Sequence, residues 1–218
     1  MGPDEATRVR ALGYTFHSSV AKQWRRGRLM IAGDAAHQTP PFMGQGMCAG
    51  IRDVFNLAWK LNSILKGHTN ENLLKTYQSE REPHVRAFID LTVQMGRLIN
   101  TTSSSLVTGT FSKSEGEPQK LTQLRPTLGP GLSSCNTEWT GHLFPQPKLN
   151  SGELLDDLIG EHWAILIRHD FSSKFPADII KKIEGVDLVM INDPSSSLQD
   201  WFSDKDVNAV LIRPDRYL

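Results

Sequence analysis

The chain carries little that would commit it to a metal, a membrane or a polyanion. Only two of its 218 residues are cysteine, Cys48 and Cys135. They lie far apart and fit neither a C-x-x-C nor a metal-ligand spacing, so no metal site and no thiol–disulfide centre is expected. Twenty-four basic residues balance 24 acidic ones, which leaves no net charge to attract nucleic acid or an anionic surface. No apolar run approaches the roughly 20 residues needed to cross a bilayer. The opening MGPDEATRVRALGY has no apolar core of the kind a signal peptide needs. Hydrophobic content of 39% and charged content of 22% are ordinary for a globular protein. A cytoplasmic protein with neither nucleic acid nor membrane as partner is expected.

What the chain does have is concentrated between Gly27 and Gly67, in GRLMIAGDAAHQTPPFMGQGMCAGIRDVFNLAWKLNSILKG. Arg28 to Ala32 is an apolar run of strand length that Gly33 interrupts, placing the Asp34 carboxylate at the carboxyl end of a short buried strand. Pro40 and Pro41 stiffen the following loop. Gly44 and Gly46 leave backbone N–H groups unshielded where a helix begins, which suits a ligand with hydroxyls and an electron-rich carbonyl or anionic edge. Met47, Ile51, Val54, Phe55, Ala58, Leu61 and Leu65 recur at helical spacing and predict a buried apolar face, with Arg52, Asp53, Asn56 and Lys60 mostly on the opposite side. Asn56 and Lys60 are expected on the helix surface or in an interdomain contact, and Trp59, off the apolar face, in a neighbouring interface. His37 reads as a structural turn histidine rather than an acid or base.

Elsewhere, Tyr14, Phe16 and Val20 suggest a short strand, with residues 22–27 as a turn. Asn70 can cap a second helix that buries Leu73, Leu74 and Tyr77, and Pro83 predicts a kink or break near Glu80–Glu82. The pattern resumes through Val85, Phe88, Thr92, Met95 and Ile99. Residues 101–147, rich in Ser, Thr, Gly and Pro, read as a linker between a domain over 1–100 and a smaller one over 148–218. In the latter, strands over 162–168, 186–191 and 207–213 alternate with a helix over 176–184 and a helical turn over 198–202. The expected class is α/β.

The ordered series GRLMIAGDAAH, PP, GQGM and D-x-x-N-L-A-W-K-L resembles the second flavin-binding motif of the single-component aromatic-ring hydroxylases, the FAD-dependent monooxygenases related to p-hydroxybenzoate hydroxylase. YTFHSSVAKQWRRGR, YQSEREPHVRAFI and the closing IRPDRYL are similar to the 3-(3-hydroxyphenyl)propionate hydroxylase branch. The resemblance implies that Asp34, after Gly33, holds a ribityl hydroxyl of FAD. It implies that Pro41 lines the flavin ring through its backbone, and that Gly44, Gly46, Met47 and Cys48 present N–H groups to its pyrimidine edge. It implies NAD(P)H as electron donor, O₂ and a phenolic substrate, and a thioredoxin-like C-terminal layer, here without C-x-x-C, that packs or makes a homodimer contact. No residue of the chain is assigned a catalytic role.

No G-x-G-x-x-G followed by an acidic residue is present, the fingerprint that holds the ADP half of a dinucleotide. The chain therefore reads as the C-terminal portion of a longer hydroxylase, inactive and weak in FAD binding alone, with its N-terminal half missing or on another chain. The alternative is a truncated product or a non-catalytic interaction module.

Overall fold

A computed structural model describes residues 9, 12–100, 125–131, 137–179 and 188–218, without the side chains of 98–100. Two short antiparallel pairs come first: β1 (Ser19–Val20) with β4 (His37–Gln38), and β2 (Arg25–Arg26) with β3 (Leu29–Met30). The buried strand expected over residues 28–32 is thus only two residues long, and Leu29 is 77% exposed. Its sole ladder partner among the described residues is the hairpin strand just before it, so nothing covers its outer face. Gly33–Ala35 and Pro41–Met43 are single 3-10 turns, and Gly44, left-handed at φ +61°, leads into α1 (Gln45–Leu65).

Asn70 caps as anticipated. Its side chain accepts from the Asn72 N–H at the start of a 3-10 turn over Glu71–Leu74, which runs into α2 (Lys75–Asn100). The break anticipated at Pro83 does not occur, because α2 is continuous through it. A proline removes one helical N–H and frees carbonyls one turn back. Here the backbone of Gly129 lies against that turn: its N–H donates to the Glu80 carbonyl at 2.8 Å. A Cβ on Gly129 would lie 2.1 Å from the Ser79 carbonyl oxygen. Only glycine can come that close.

The expectations for 101–124, 132–136 and 180–187, including most of the linker and most of the helix over 176–184, fall outside the described residues. Cys135 is among these. The rest of the C-terminal region is a three-stranded sheet, β6 (Leu188–Ile191), β5 (Trp163–Ile167) and β7 (Ala209–Ile212), in the spatial order β6-β5-β7. β5 is parallel to β6 and antiparallel to β7. α3 (Leu155–Ile159) has no forerunner in the sequence pattern, and the expected turn over 198–202 is the longer α4 (Ser196–Lys205). Leu155, Ile159, Ala164, Leu166, Leu198, Phe202 and Ile212 close one core; Trp24, Ala36, Ala49, Tyr77, Val85 and Ile89 close another. The chain end runs back past residues 141–144, with the Gly141 N–H donating to the Leu218 carbonyl and the Phe144 N–H to that of Arg216.

Candidate flavin site

The most consequential departure from the sequence pattern lies in α1, where the faces are reversed. Met47, Ile51, Val54 and Phe55 are 75%, 51%, 55% and 57% exposed, while Asp53, Asn56 and Lys60 are completely buried. Periodicity identifies an apolar stripe but does not say what covers it, and nothing among the described residues covers this one. The polar stripe instead meets the buried Glu80 and Arg81 of α2.

Asp53 is the hub of the first polar group. Its Oδ2 accepts from the Gly33 N–H at 3.1 Å and from His37 Nε2 at 2.6 Å, and its Oδ1 accepts from Arg81 Nε at 2.9 Å. The direction of the His37 bond is set because an ionised carboxylate only accepts. Burial would raise the Asp53 pKa, but the His37 hydrogen bond and the Arg81 guanidinium outweigh it and hold the carboxyl below its usual range. His37, 2% exposed and packed on Trp24, is an orienting group within the fold. That agrees with its structural reading.

Glu80 is the hub of the second group. Its Oε2 accepts from Asn56 Nδ2 (2.9 Å), Lys60 Nζ (2.8 Å) and Arg213 Nη2 (2.8 Å). Burial opposes ionisation of Glu80, yet the Arg213 charge, with Lys60 and Asn56, keeps its pKa below the ordinary value. Lys60 is pushed down to about 8 by burial, with Glu80 acting against that shift. Neither residue lies on the helix surface: Asn56 reaches Asp215 near the chain end as well as Glu80, whereas Lys60 pairs with Glu80 of the neighbouring α2. Trp59 sits edge-on to Trp163 of β5 at 5.4 Å, the neighbouring interface expected of it.

The anticipated ligand residues lie above this base. Gly33 has φ +57° and abuts α1 so closely that a Cβ on Gly50 would lie 3.3 Å from the Gly33 Cα. Asp34 follows in the turn, exposed, with no protein partner among the described residues. Pro41 is exposed at the start of the second 3-10 turn, and Gly44 enters α1 without a side-chain cap. The N–H groups of Gln45, Gly46 and Met47 in the first turn have no helical acceptors, whereas that of Cys48 is the first with one, the Gly44 carbonyl. Nothing lies within 4 Å of a Cβ built on Gly46. An apolar groove of about 420 Å³ runs alongside, lined by Ala32, Gly33, Met47, Gly50, Ile51, Val54 and Phe55. A free carboxylate acceptor, uncapped donors at a helix start and open space at Gly46 together fit a hydroxylated chain ending in an electron-rich ring edge. Gly50 and Asp53 escaped the sequence reading: Gly50 sits in a helical run with no turn signal, and Asp53 looked like an ordinary surface acid.

No group of three or more His, Cys, Asp or Glu side chains among the described residues could hold a metal. None of the described helices is long and apolar enough to cross a membrane.

Comparison with known proteins points to FAD as the ligand of such a fold. Residues 4–92 match the FAD binding domain family. The chain is similar to a probable NADH-specific resorcinol 4-hydroxylase of Rhodococcus jostii, at 34% identity over 99% of this chain and 44% of the relative. It is similar to a 3-(3-hydroxy-phenyl)propionate/3-hydroxycinnamic acid hydroxylase of Mycobacterium avium, at 31% identity over 98% of this chain and 44% of the relative. Among solved structures it resembles aklavinone-11 hydroxylase in a complex with FAD and aklavinone, with TM-score 0.65 and 25% identity over 96% of this chain and 42% of that one. The rebeccamycin biosynthetic enzyme RebC with reduced flavin, at TM-score 0.65 and 20% identity over 92% of this chain and 43% of that one, shares the fold. The chain is related to the FAD-dependent aromatic-ring hydroxylases and spans less than half the length of the curated relatives it matches.

Proposed function

We propose that this chain is the flavin-holding part of an FAD-dependent monooxygenase that hydroxylates a phenolic substrate with NAD(P)H and O₂. Asp34 accepts a hydrogen bond from a ribityl hydroxyl, a charge-assisted contact. The N–H groups around Gly46, Met47 and Cys48, entered through Gly44, face the pyrimidine edge of the ring, and the Pro41 backbone lines it. Gly33, pinned by Asp53 and pressed on Gly50, keeps the Asp34 turn at a fixed place beside α1. When bound, the flavin supplies electron transfer and oxygen activation; the protein contributes position and charge. The positive end of α1 favours the negative charge that a reduced flavin carries. The single observation that carries this reading is the unpartnered Asp34 carboxylate beside an uncapped helix start that is open at Gly46.

The adenosine and pyrophosphate end has no counterpart motif in this sequence. We assign its binding to a further polypeptide segment, on the same chain or another, that covers the exposed Met47–Ile51–Val54–Phe55 face. The sheet after residue 148, with parallel and antiparallel neighbours on β5, supports a thioredoxin-like layer whose role is packing. A non-catalytic module that pairs through the same exposed face of α1 is the second reading, favoured by the size of that face alone.

The test is titration of FAD into the purified chain, followed by flavin fluorescence, with sedimentation at the same concentrations. Weak binding that Asp34→Ala abolishes supports a half-site. Tight stoichiometric binding would show that the chain holds the whole cofactor by itself. No binding together with a concentration-dependent dimer would favour the module.

A further inference from the structure

The buried face of α1 is held by groups from the far end of the chain. Asn56 Nδ2 donates both to Glu80 Oε2 at 2.9 Å and to Asp215 Oδ2 at 3.0 Å, the latter 159 residues away. Arg213 Nη2 reaches the same two oxygens at 2.8 Å each, and its Nε donates to Asp215 Oδ1 at 3.0 Å. The Arg213 guanidinium also lies over the Trp59 ring, 5.1 Å from its centroid. Four residues after Arg213, the Tyr217 hydroxyl lies 3.3 Å from His84 Nε2 of α2. Asn56, Glu80 and Asp215 are all at most 5% exposed.

This arrangement changes what fixes α1. Ala49 is the one buried apolar residue of the helix, so knob-and-groove packing does little to set its rotation. Directional bonds do so instead: Asp53 at one point, and Asn56 with Lys60 at another. The second point is completed by a segment that directly follows β7 of the C-terminal sheet. Asn56 lies ten residues from Gly46, about 15 Å along the axis, so a tilt of about 10° at Asn56 moves the first turn by about 2.5 Å. Misplacement of about 1 Å is already costly to a positioned reaction.

We infer that Arg213 and Asp215 are positioning residues for the first turn of α1, so that the C-terminal layer sets where that turn presents its N–H groups. The consequence for a bound flavin rests on the function proposed above; the mechanical coupling does not. The loop carrying Arg213 and Asp215 bonds to Asn56 of α1 and Glu80 of α2. It acts through Glu80 and Asn56.

The experiment is amide hydrogen exchange on the chain as it stands, comparing the parent with Arg213→Ala, Arg213→Lys and Asp215→Asn. Amides 49–53, bonded to the carbonyls of residues 45–49, report the first turns of α1; amides 164–166 report β5. In Arg213→Ala, α1 protection should fall about tenfold or more while β5 stays within about twofold. Arg213→Lys should recover part of it, since an ammonium can reach Glu80 but cannot make the two-armed contact. Asp215→Asn keeps the shape of the side chain, so the comparison survives if Arg213→Ala does not fold. Unchanged α1 protection in Asp215→Asn, or equal loss in α1 and β5, overturns the inference. FAD titration of the same proteins separates the two claims. Exchange that responds in α1 without any flavin binding would leave the coupling intact and remove the flavin reading. In a chain that binds FAD, the visible absorption band of the flavin should shift in Asp215→Asn.

Discussion

Gly33 donates its backbone N–H to Asp53 Oδ2 at 3.1 Å, tying the turn that presents Asp34 to the middle of α1 twenty residues later. The same carboxylate holds His37 and Arg81. Asp53→Ala would leave the Arg81 guanidinium, itself fully buried, without its charge partner. Breaking a buried ion pair from one side costs about 3–5 kcal/mol. Urea unfolding should show that loss, and Asp53→Asn, which keeps one acceptor oxygen, should fall between. A loss under about 1 kcal/mol in Asp53→Ala would mean the group is not the joint it resembles.

His84 supplies a pH dependence with a definite sign. It is 3% exposed, and burial, with the charges of Arg81 and Arg52 adding to it, lowers its pKa to about 3. The unfolded chain regains the ordinary value near 6.5. Between those two values the unfolded state binds the extra proton, so stability rises with pH through this window and is lost as pH falls. From pH 7 to pH 5 the loss from this one group is about 2 kcal/mol. Denaturant unfolding at the two pH values should show it, and His84→Gln should remove that part of the slope. An unchanged slope in the variant would place the effect elsewhere.

Much of the local architecture was legible from residue order. A helix start next to Gly46 (observed one residue earlier, at Gln45), the Asn70 cap, the Gly33 turn and the strands around Ala164, Val189 and Val210 each follow from short-range rules. What was not legible depends on which surface meets which. The α1 apolar stripe satisfies every periodicity rule for a core face, yet in this chain it faces outward, because an inward face is defined by its partner. Asp53, Asn56 and Lys60 read as surface residues since their compensating charges, Arg81, Glu80, Arg213 and Asp215, are distant in sequence. Pro83 failed as a helix breaker for a similar reason: the segment at Gly129 that supplies a donor to the Glu80 carbonyl lies far downstream.

Gly46 and Gly50, four residues apart in α1, should respond oppositely to alanine. A Cβ on Gly50 would press to 3.3 Å on the Gly33 Cα, whereas one on Gly46 meets nothing within 4 Å. Gly50→Ala must push two backbones apart and should lower Tm. Gly46→Ala should leave Tm unchanged or raise it, since alanine is favoured over glycine in a helix by about 1 kcal/mol. Its effect should appear only with ligand, as weaker FAD binding, because the added methyl occupies the space assigned to the flavin edge. If Gly46→Ala binds FAD as the parent does, the ring does not lie there.

The exposed face of α1 makes the last prediction. Val54 and Phe55 are 55% and 57% exposed and continue the stripe of Met47 and Ile51. Contiguous apolar surface of this kind marks an interaction site or an aggregation liability. Replacing both Val54 and Phe55 with Ser removes side chains that are more than half exposed, so unfolding free energy should change by no more than about 1 kcal/mol, about 0.5 for each surface substitution. Self-association, measured by sedimentation over a range of concentrations, should fall. If these two residues instead pack within the folded chain, the double variant should lose several kcal/mol, and the reversed polarity of α1 would then have to be abandoned.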